Sequence, residues 1–334
     1  MINDIYITVI IPAFNVGNFV SKTLDSLKNQ TFQNFEIIVV NDGSTDSTLD
    51  VINSYKDIFS NYRVIDQENK GVSKSRNIGI ELSIGKYICF IDGDDHVENN
   101  YLELMYNKII ENGSDMVYCG YTEVLTDGSV FRTYLDRYKY TEGVLSGKDV
   151  LLKYLKSETY MYIWSILFDK KLLENNKIRF YENISYGEDQ IFNYESLAKA
   201  NRVSCVNKEL LIYLRHDQGT MQNLKNLKYL TILKSLYHLE KKFIDQKEDS
   251  KIINAVKYDK IVRTTVMILT NWAVLKEEKK YFSLRKRKII KYFLRRAFYM
   301  NPFKNYKLMI KSIMLLYFDN IYFNIYKNKK SRLF

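Results

Sequence analysis

An α/β fold, built on a mostly parallel sheet and followed by a helical extension, is predicted by three features of the 334-residue sequence. Short apolar, β-branched runs alternate with stretches of helical periodicity at ~25–30-residue spacing over the first third of the chain, the pattern of successive βαβ units. Clusters of Asn, Asp and Gly stand directly after the apolar runs, where sheets of this kind place a ligand crevice. From Asn223 onward the apolar spacing is helical throughout. The length suits two domains, and the change of pattern sets them at 1–222 and 223–334.

Ile5–Ile11 reads as a strand buried on both faces, and Asn18–Asn29 as a helix with Phe19, Val20, Leu24 and Leu27 on one side. Phe35–Val40 is the second strand. It ends in Asn41-Asp42-Gly43-Ser44, where Gly43 permits a tight turn and Ser44, Thr45 or Asp46 can cap a helix over Ser47–Phe59. Tyr62–Asp66 and Val72–Ser83 give the third strand and helix. Tyr87–Ile91 is the fourth strand, running into Asp92-Gly93-Asp94-Asp95. Tyr101–Glu111 is a helix and Met116–Cys119 a fifth strand. The stretch from Gly120 to Leu214 is less regular. Beyond it, Tyr229–Phe243, Lys251–Glu277, Leu284–Tyr299 and Tyr306–Tyr326 are predicted helices.

Composition narrows the class. Hydrophobic residues at 46% and charged residues at 27% fit a folded chain, not a disordered one. Cys89, Cys119 and Cys205 are far apart with no CxxC, which points to buried thiols in a reducing compartment. Residues 281–334 carry fourteen Lys/Arg and one acid, Asp319, whereas the other 280 residues are close to neutral. Such asymmetry suits an anionic surface, here an anionic membrane, or a solvated basic tail. The start lacks a basic leader segment, and no apolar run is long enough to span a bilayer. A cytoplasmic protein is expected, peripheral on the inner face of the plasma membrane if the tail docks there.

The chemistry-bearing residues lie at the strand ends. Asp92 and Asp94 bracket a glycine after a buried strand, an arrangement of oxygen ligands suited to Mg²⁺ or Mn²⁺ and substrate phosphates, or to a capped turn. Asp42 can accept from a nucleobase N–H or ribose hydroxyls. Arg76, near the start of the third helix, can stack on a base or bind phosphate. Glu188 and Asp189 open an amphipathic helix as N-terminal acids or as a general base. His216, in a polar loop, can ligate a metal or touch a phosphate. There is no GxxxxGK[ST], no GxGxxG after the first strand, and no GxSxG or HExxH.

Taken together, VIIPAFNVGNFVSKTLDSLKNQTFQNFEIIVVNDGSTDST, ENKGVSKSRNIGI, GKYICFIDGDDHVENNYLE and YGEDQIF occur in the order seen in family 2 glycosyltransferases of the GT-A fold, which this chain resembles. The likeness covers about 190 residues and stops short of the basic extension, whose type resembles those on bacterial enzymes that build capsules, cell-wall polymers or surface glycans. It implies an inverting transfer from a nucleotide-diphosphate sugar, most often a UDP-sugar, to a glycan, lipid-linked or glycoprotein acceptor. Pro12, Ala13, Asn15, Asp42, Asn69 and Arg76 would hold the nucleotide, with Asp42 on the uracil edge and Asp92 on the ribose. Asp94 would bind Mn²⁺ or Mg²⁺, with His216 at the metal or diphosphate. Asp189 would be the catalytic base and Glu188 its neighbour in the acceptor pocket. A QxxRW motif of processive members is missing, so one sugar per encounter is expected. The other readings are a catalytically silent nucleotide-sugar-binding partner and a nucleic-acid-binding tail; the near-neutral body and its acidic crevice argue against specific nucleic-acid binding.

Overall fold

A computed structural model describes residues 5–184, 186–216 and 230–327. The chain divides into two units, Met1–Asp217 and Gln218–Phe334. The boundary expected between residues 222 and 223 lies outside the described residues.

In the first unit, strands β1 (Ile7–Ala13), β2 (Phe35–Asp42), β3 (Tyr62–Gln67) and β4 (Tyr87–Phe90) pair in parallel in the order β3-β2-β1-β4. β1 and β2 are buried along their whole lengths, as their continuous apolar runs require. The sheet continues through β8 (Ile166–Asp169), β6 (Met116–Leu125), β9 (Val203–Arg215) and the two-residue β5 (His96–Val97), with β7 (Val130–Thr133) paired to β6. Here the expectation of a mostly parallel sheet needs amending. β8 runs antiparallel to both neighbours, and β5 and β7 are antiparallel too; only β6 and β9 pair in parallel. The short connection between Leu125 and Val130 leaves no room for a crossover, so β7 must turn back beside β6.

Helices α1 (Val20–Lys28), α2 (Thr48–Asn53), α3 (Val72–Leu82), α4 (Tyr101–Asn112), α5 (Gly147–Leu155), α6 (Lys170–Asn175) and α7 (Glu188–Lys199) complete this unit. α3 lies directly on β1, since a Cβ on Gly79 would fall on the Ile10 side chain. α2 is shorter than the expected Ser47–Phe59. After Asn53 the backbone closes into tight turns, with Lys56 N–H bonded to Asn53 O and Ile58 N–H to Tyr55 O, and Tyr55, Phe59 and Tyr62 stack in series. At the amino-terminal end of the sheet, the buried Glu36 carboxylate accepts from Thr8 Oγ1, Arg63 and the Ile84 N–H. That charge is fully partnered, which leaves the opposite, carboxyl-terminal edge for chemistry.

The second unit is helical among its described residues: α8 (Leu230–Asp245), α9 (Ser250–Asn254), a π-helical stretch (Ala255–Lys260), α10 (Ile261–Val274), α11 (Glu278–Lys286), α12 (Lys288–Arg295), α13 (Pro302–Tyr317) and α14 (Asp319–Tyr326). The single helix expected over Leu284–Tyr299 is broken at Arg287, whose backbone is extended. Two of its basic residues point inward. Arg296 is buried against Glu240 at 2.7 Å, and Arg285 donates to the Leu315 and Leu316 carbonyls. α13 starts at Pro302, with Asn301 Oδ1 accepting from the Phe303 N–H. Among the described residues no helix is long and apolar enough to cross a membrane.

Candidate active site

Because β3, β2, β1 and β4 are parallel neighbours, the segments after them meet along one edge. Pro12 and Ala13 are buried in the last positions of β1, and Asn15 follows in the left-handed region at φ 53°. Asn15 Oδ1 accepts from the Thr45 N–H at 2.9 Å, and its own N–H donates to Ser44 Oγ. Asp46 Oδ2 accepts from the Gly17 N–H and Oδ1 from the Thr48 N–H; these bonds hold its carboxyl below the usual range although burial opposes them. The β1 and β2 loops are therefore locked to each other.

Asp42, the last residue of β2, is buried and grips the loop after β3. Its Oδ1 accepts from Gln67 Nε2 and the Lys70 N–H, and its Oδ2 from the Gly71 N–H at 2.8 Å. Gly43 makes this closeness possible, since a Cβ there would lie 2.7 Å from the Asn69 nitrogen and its φ is 70°. Asn69 stays exposed at the rim.

Arg76 lies deeper than its helix position suggests. It is 3% exposed, donating from Nη2 to Asp92 Oδ1 at 2.8 Å and from Nη1 to Glu188 Oε1 at 3.2 Å, with the Phe180 ring 5.2 Å away. One guanidinium thus ties the end of β4 to the first turn of α7. Burial pushes the Asp92 carboxyl up, Arg76 pulls it down, and Asp94 pushes it up again; the net direction is up. Asp189, beside Glu188, is pushed up to about 7, by burial first and then by the Glu188 charge, against the pull of Arg76.

The Asp92–Asp95 loop also holds β9. Thr23 Oγ1 donates to the Gly93 carbonyl, and Asp95 Oδ1 accepts from the Leu214 N–H. That grip brings His216 Nε2 to 3.0 Å from Asp94 Oδ2, with the His216 ring 4.3 Å from that of Phe19. Among the described residues, no three His, Cys, Asp or Glu side chains form a metal cluster. The donor set is nonetheless suited to a hard cation whose remaining ligands are phosphate oxygens and water. It offers one carboxylate and one imidazole, whose Nε2 faces Asp94 and whose buried Nδ1 has no partner among the described residues.

Two features escaped the sequence reading. Asn77 clamps Phe180 through both amide atoms, at 2.9 Å each, which seats Phe180 under Arg76 and stacks it on Phe192 at 4.0 Å. Tyr162, Trp164 and Tyr213 stack on one another. Burial pushes Tyr213 up, with Asp95 and Asp94 adding to it, and Tyr160 rises similarly, with Asp189 among the contributing charges. The aromatic wall thus lies within the field of both acid clusters. The close spacing of Tyr160, Tyr162 and Trp164 was the available signal, although Trp164 sits in a 3₁₀ turn over Ile163–Ser165 and not in a strand.

The model of the family described as "Glycosyl transferase family 2" matches residues 8–175, from β1 through α6. The chain belongs to glycosyl transferase family 2. The matched segment of this family 2 glycosyltransferase contains Asp42, Arg76, Asp92 and Asp94; Glu188, Asp189 and His216 lie beyond it. Over 210 residues it is 33% identical to the Bacillus subtilis (strain 168) protein named uncharacterized glycosyltransferase EpsJ. That match covers 62% of this chain and 60% of EpsJ, less than two thirds of the relative's length. Crystalline S. aureus TarS 1-349 in complex with UDP-GlcNAc is similar in fold, with a TM-score of 0.70 at 19% identity over 96% of this chain and 89% of that one. The mannosyltransferase PcManGT from Pyrobaculum calidifontis, in complex with GDP-Man and Mn²⁺, has a TM-score of 0.55 at 14% identity, covering 93% and 87%. These two similarities establish a shared GT-A-type fold.

Proposed function

We propose that this glycosyltransferase moves one sugar, with inversion, from a nucleotide-diphosphate sugar to an acceptor hydroxyl, and that the donor is a UDP-sugar. The observation that carries this reading is the Arg76 bridge, which joins Asp92 on the donor side to Glu188 beside Asp189 on the acceptor side. The ligands named for TarS and PcManGT, UDP-GlcNAc and GDP-Man, support a nucleotide-sugar donor. Pro12, Ala13, Asn15, Asp42, Asn69, Arg76 and Asp92 form the nucleotide side. Asp94 and His216 would hold Mn²⁺ or Mg²⁺, which when bound neutralises charge on the leaving diphosphate.

Asp189, ionised, takes the proton of the acceptor hydroxyl as that oxygen bonds to the anomeric carbon. The bond from that carbon to the diphosphate breaks on the opposite face, which inverts the configuration. A carboxyl pushed up to about 7 is a stronger base than an ordinary one and still about half ionised near neutral pH. The acceptor class we assign is a glycan, lipid-linked saccharide or glycoprotein of a bacterial surface polymer, met on the cytoplasmic side.

The test is a panel of UDP-, GDP- and other nucleotide sugars scored for nucleoside diphosphate release, with and without candidate acceptors, and with NMR of the product anomer. UDP release that rises on adding an acceptor, with an inverted product, supports the reading. A folded protein that cleaves no member of the panel refutes it, and a retained anomer refutes the role of Asp189.

A further inference from the structure

We infer that α13 of the second unit is a docking surface for an anionic phospholipid bilayer. Tyr306, Ile310, Ile313 and Tyr317 recur at i, i+4, i+7 and i+11, which sets them on one face of the helix. That face is turned to solvent: Tyr306, Ile310 and Tyr317 are 54%, 52% and 62% exposed. The opposite face, with Leu308, Ser312, Leu315 and Leu316, is the one buried in the unit. Phe303 at the start of the helix is 91% exposed. A helix whose core-facing side is already satisfied has no internal use for a second apolar stripe. Exposed apolar surface of this kind marks a binding face.

The charges beside the stripe identify the occupant. Lys304 and Lys307 are exposed on either side of a kink at Asn305, Lys307 Nζ lies 5.8 Å from the Tyr306 ring, and the half-buried Lys311 sets its Nζ 5.7 Å from the Tyr326 ring. Between Glu278 and Asp319 the chain contains no acidic residue. A second copy of this chain would set these lysines against their own equivalents across a two-fold interface, which costs affinity. Polyphosphate chains of nucleic acid would accept the lysines but leave Ile310 and Ile313 in water. A bilayer with anionic headgroups takes both, apolar side chains below the headgroup level and lysines among the phosphates. Within the basic region from residue 284 onward, Arg285 and Arg296 are committed inside the unit, whereas Lys304 and Lys307 of α13 stay exposed.

The experiment is co-sedimentation of the full chain with vesicles of phosphatidylcholine alone or mixed with phosphatidylglycerol, at low and high salt. The wild type is expected to sediment with the anionic vesicles and to be released by salt. A Lys304→Glu/Lys307→Glu/Lys311→Glu variant is expected to lose about 100-fold in preference for anionic vesicles, roughly fivefold per lysine. A Tyr306→Ser/Ile310→Ser/Tyr317→Ser variant is expected to lose vesicle binding, with circular dichroism and Tm unchanged. If the serine variant misfolds, Ile310→Cys carrying an environment-sensitive fluorophore replaces it, with a blue shift expected on adding anionic vesicles. Wild-type protein left in the supernatant at low salt overturns the inference. So does equal binding by wild type and both variants, an unshifted fluorophore, or a dimer in light scattering that the serine variant splits. None of these readouts depends on the transfer reaction.

Discussion

His216 Nε2 stands 3.0 Å from Asp94 Oδ2, joining residues 122 apart in sequence at the carboxyl-terminal edge of the sheet. Asp95 makes the contact possible by fixing the Leu214 N–H two residues earlier. If Asp94 and His216 share a divalent cation, removing either weakens its hold without disturbing the nucleotide side. Neutralising a leaving group is worth several kcal/mol, so Asp94→Asn should lower kcat by about 100-fold or more. His216→Ala should chiefly raise the Mn²⁺ concentration needed for half-maximal activity. Titration of activity against Mn²⁺ after EDTA treatment checks both; full activity in chelator defeats the assignment.

Arg76 is a buried cation shared by two carboxylates, and its loss is predicted to cost stability as well as activity. Removing one partner of a buried ion pair typically costs about 3–5 kcal/mol, because the remaining charges stay desolvated. For a unit of this size, each kcal/mol lowers Tm by about 2–4 °C. Arg76→Met should therefore melt about 10 °C lower than wild type. Adding Asp92→Asn and Glu188→Gln should restore part of the stability and none of the activity. A single variant that melts within a degree or so of wild type would remove the strut from the account.

α7, which presents Glu188 and Asp189, is held against α5 by a close backbone approach at Gly147. A Cβ at that position would meet the Leu197 and Ala200 carbonyl oxygens at 2.1 and 2.5 Å. Backbone cannot yield as a flexible side chain does, so Gly147→Ala must push the helices apart, at about 1–3 kcal/mol. The displacement reaches the acid pair at the other end of α7. We expect a lower Tm together with a larger proportional fall in transfer than in nucleotide binding, measured by calorimetry with UDP. Equal losses in both would place the effect in global destabilisation.

What the sequence revealed follows the range of the forces involved. β1, β2 and β4 and the polar turns after them were legible because local signals specify them: apolar runs buried along their whole lengths, then Asn, Gly and Asp at the turns. The pairing of β8 between β4 and β6 was not, since four residues of Ile-Leu-Phe-Asp carry no mark of direction. The partners of Arg76 were also hidden. Its bond to Glu188 spans 112 residues, and a guanidinium in a helix reads the same whether it faces solvent or two carboxylates. The break at Arg287 and the π-helical turn at Ala255–Lys260 interrupt apolar periodicities that are themselves unbroken, so the spacing could not announce them.

Asp189 offers the sharpest test because, if it is the base we propose, its protonation couples catalysis and stability with opposite signs. Its carboxyl, ordinarily near 3.8, is pushed up to about 7 in the folded chain, first by burial and then by Glu188. Only the ionised form removes a proton, so kcat/KM should fall about tenfold per pH unit below about pH 7 and level off above it. Glu188→Gln removes a like charge and should move that limb to lower pH. Stability runs the other way. A carboxyl that titrates higher when folded than when unfolded favours the fold while protonated, and this contribution fades as pH rises from about 4 through about 7. Asp189→Asn, neutral at every pH, should therefore melt higher than wild type near pH 8 and scarcely differ near pH 4. It should lose about 100-fold or more in transfer while binding UDP as well as wild type does. A pH–rate profile with no acid limb, or an asparagine variant within tenfold of wild-type transfer, would take the base role away from Asp189.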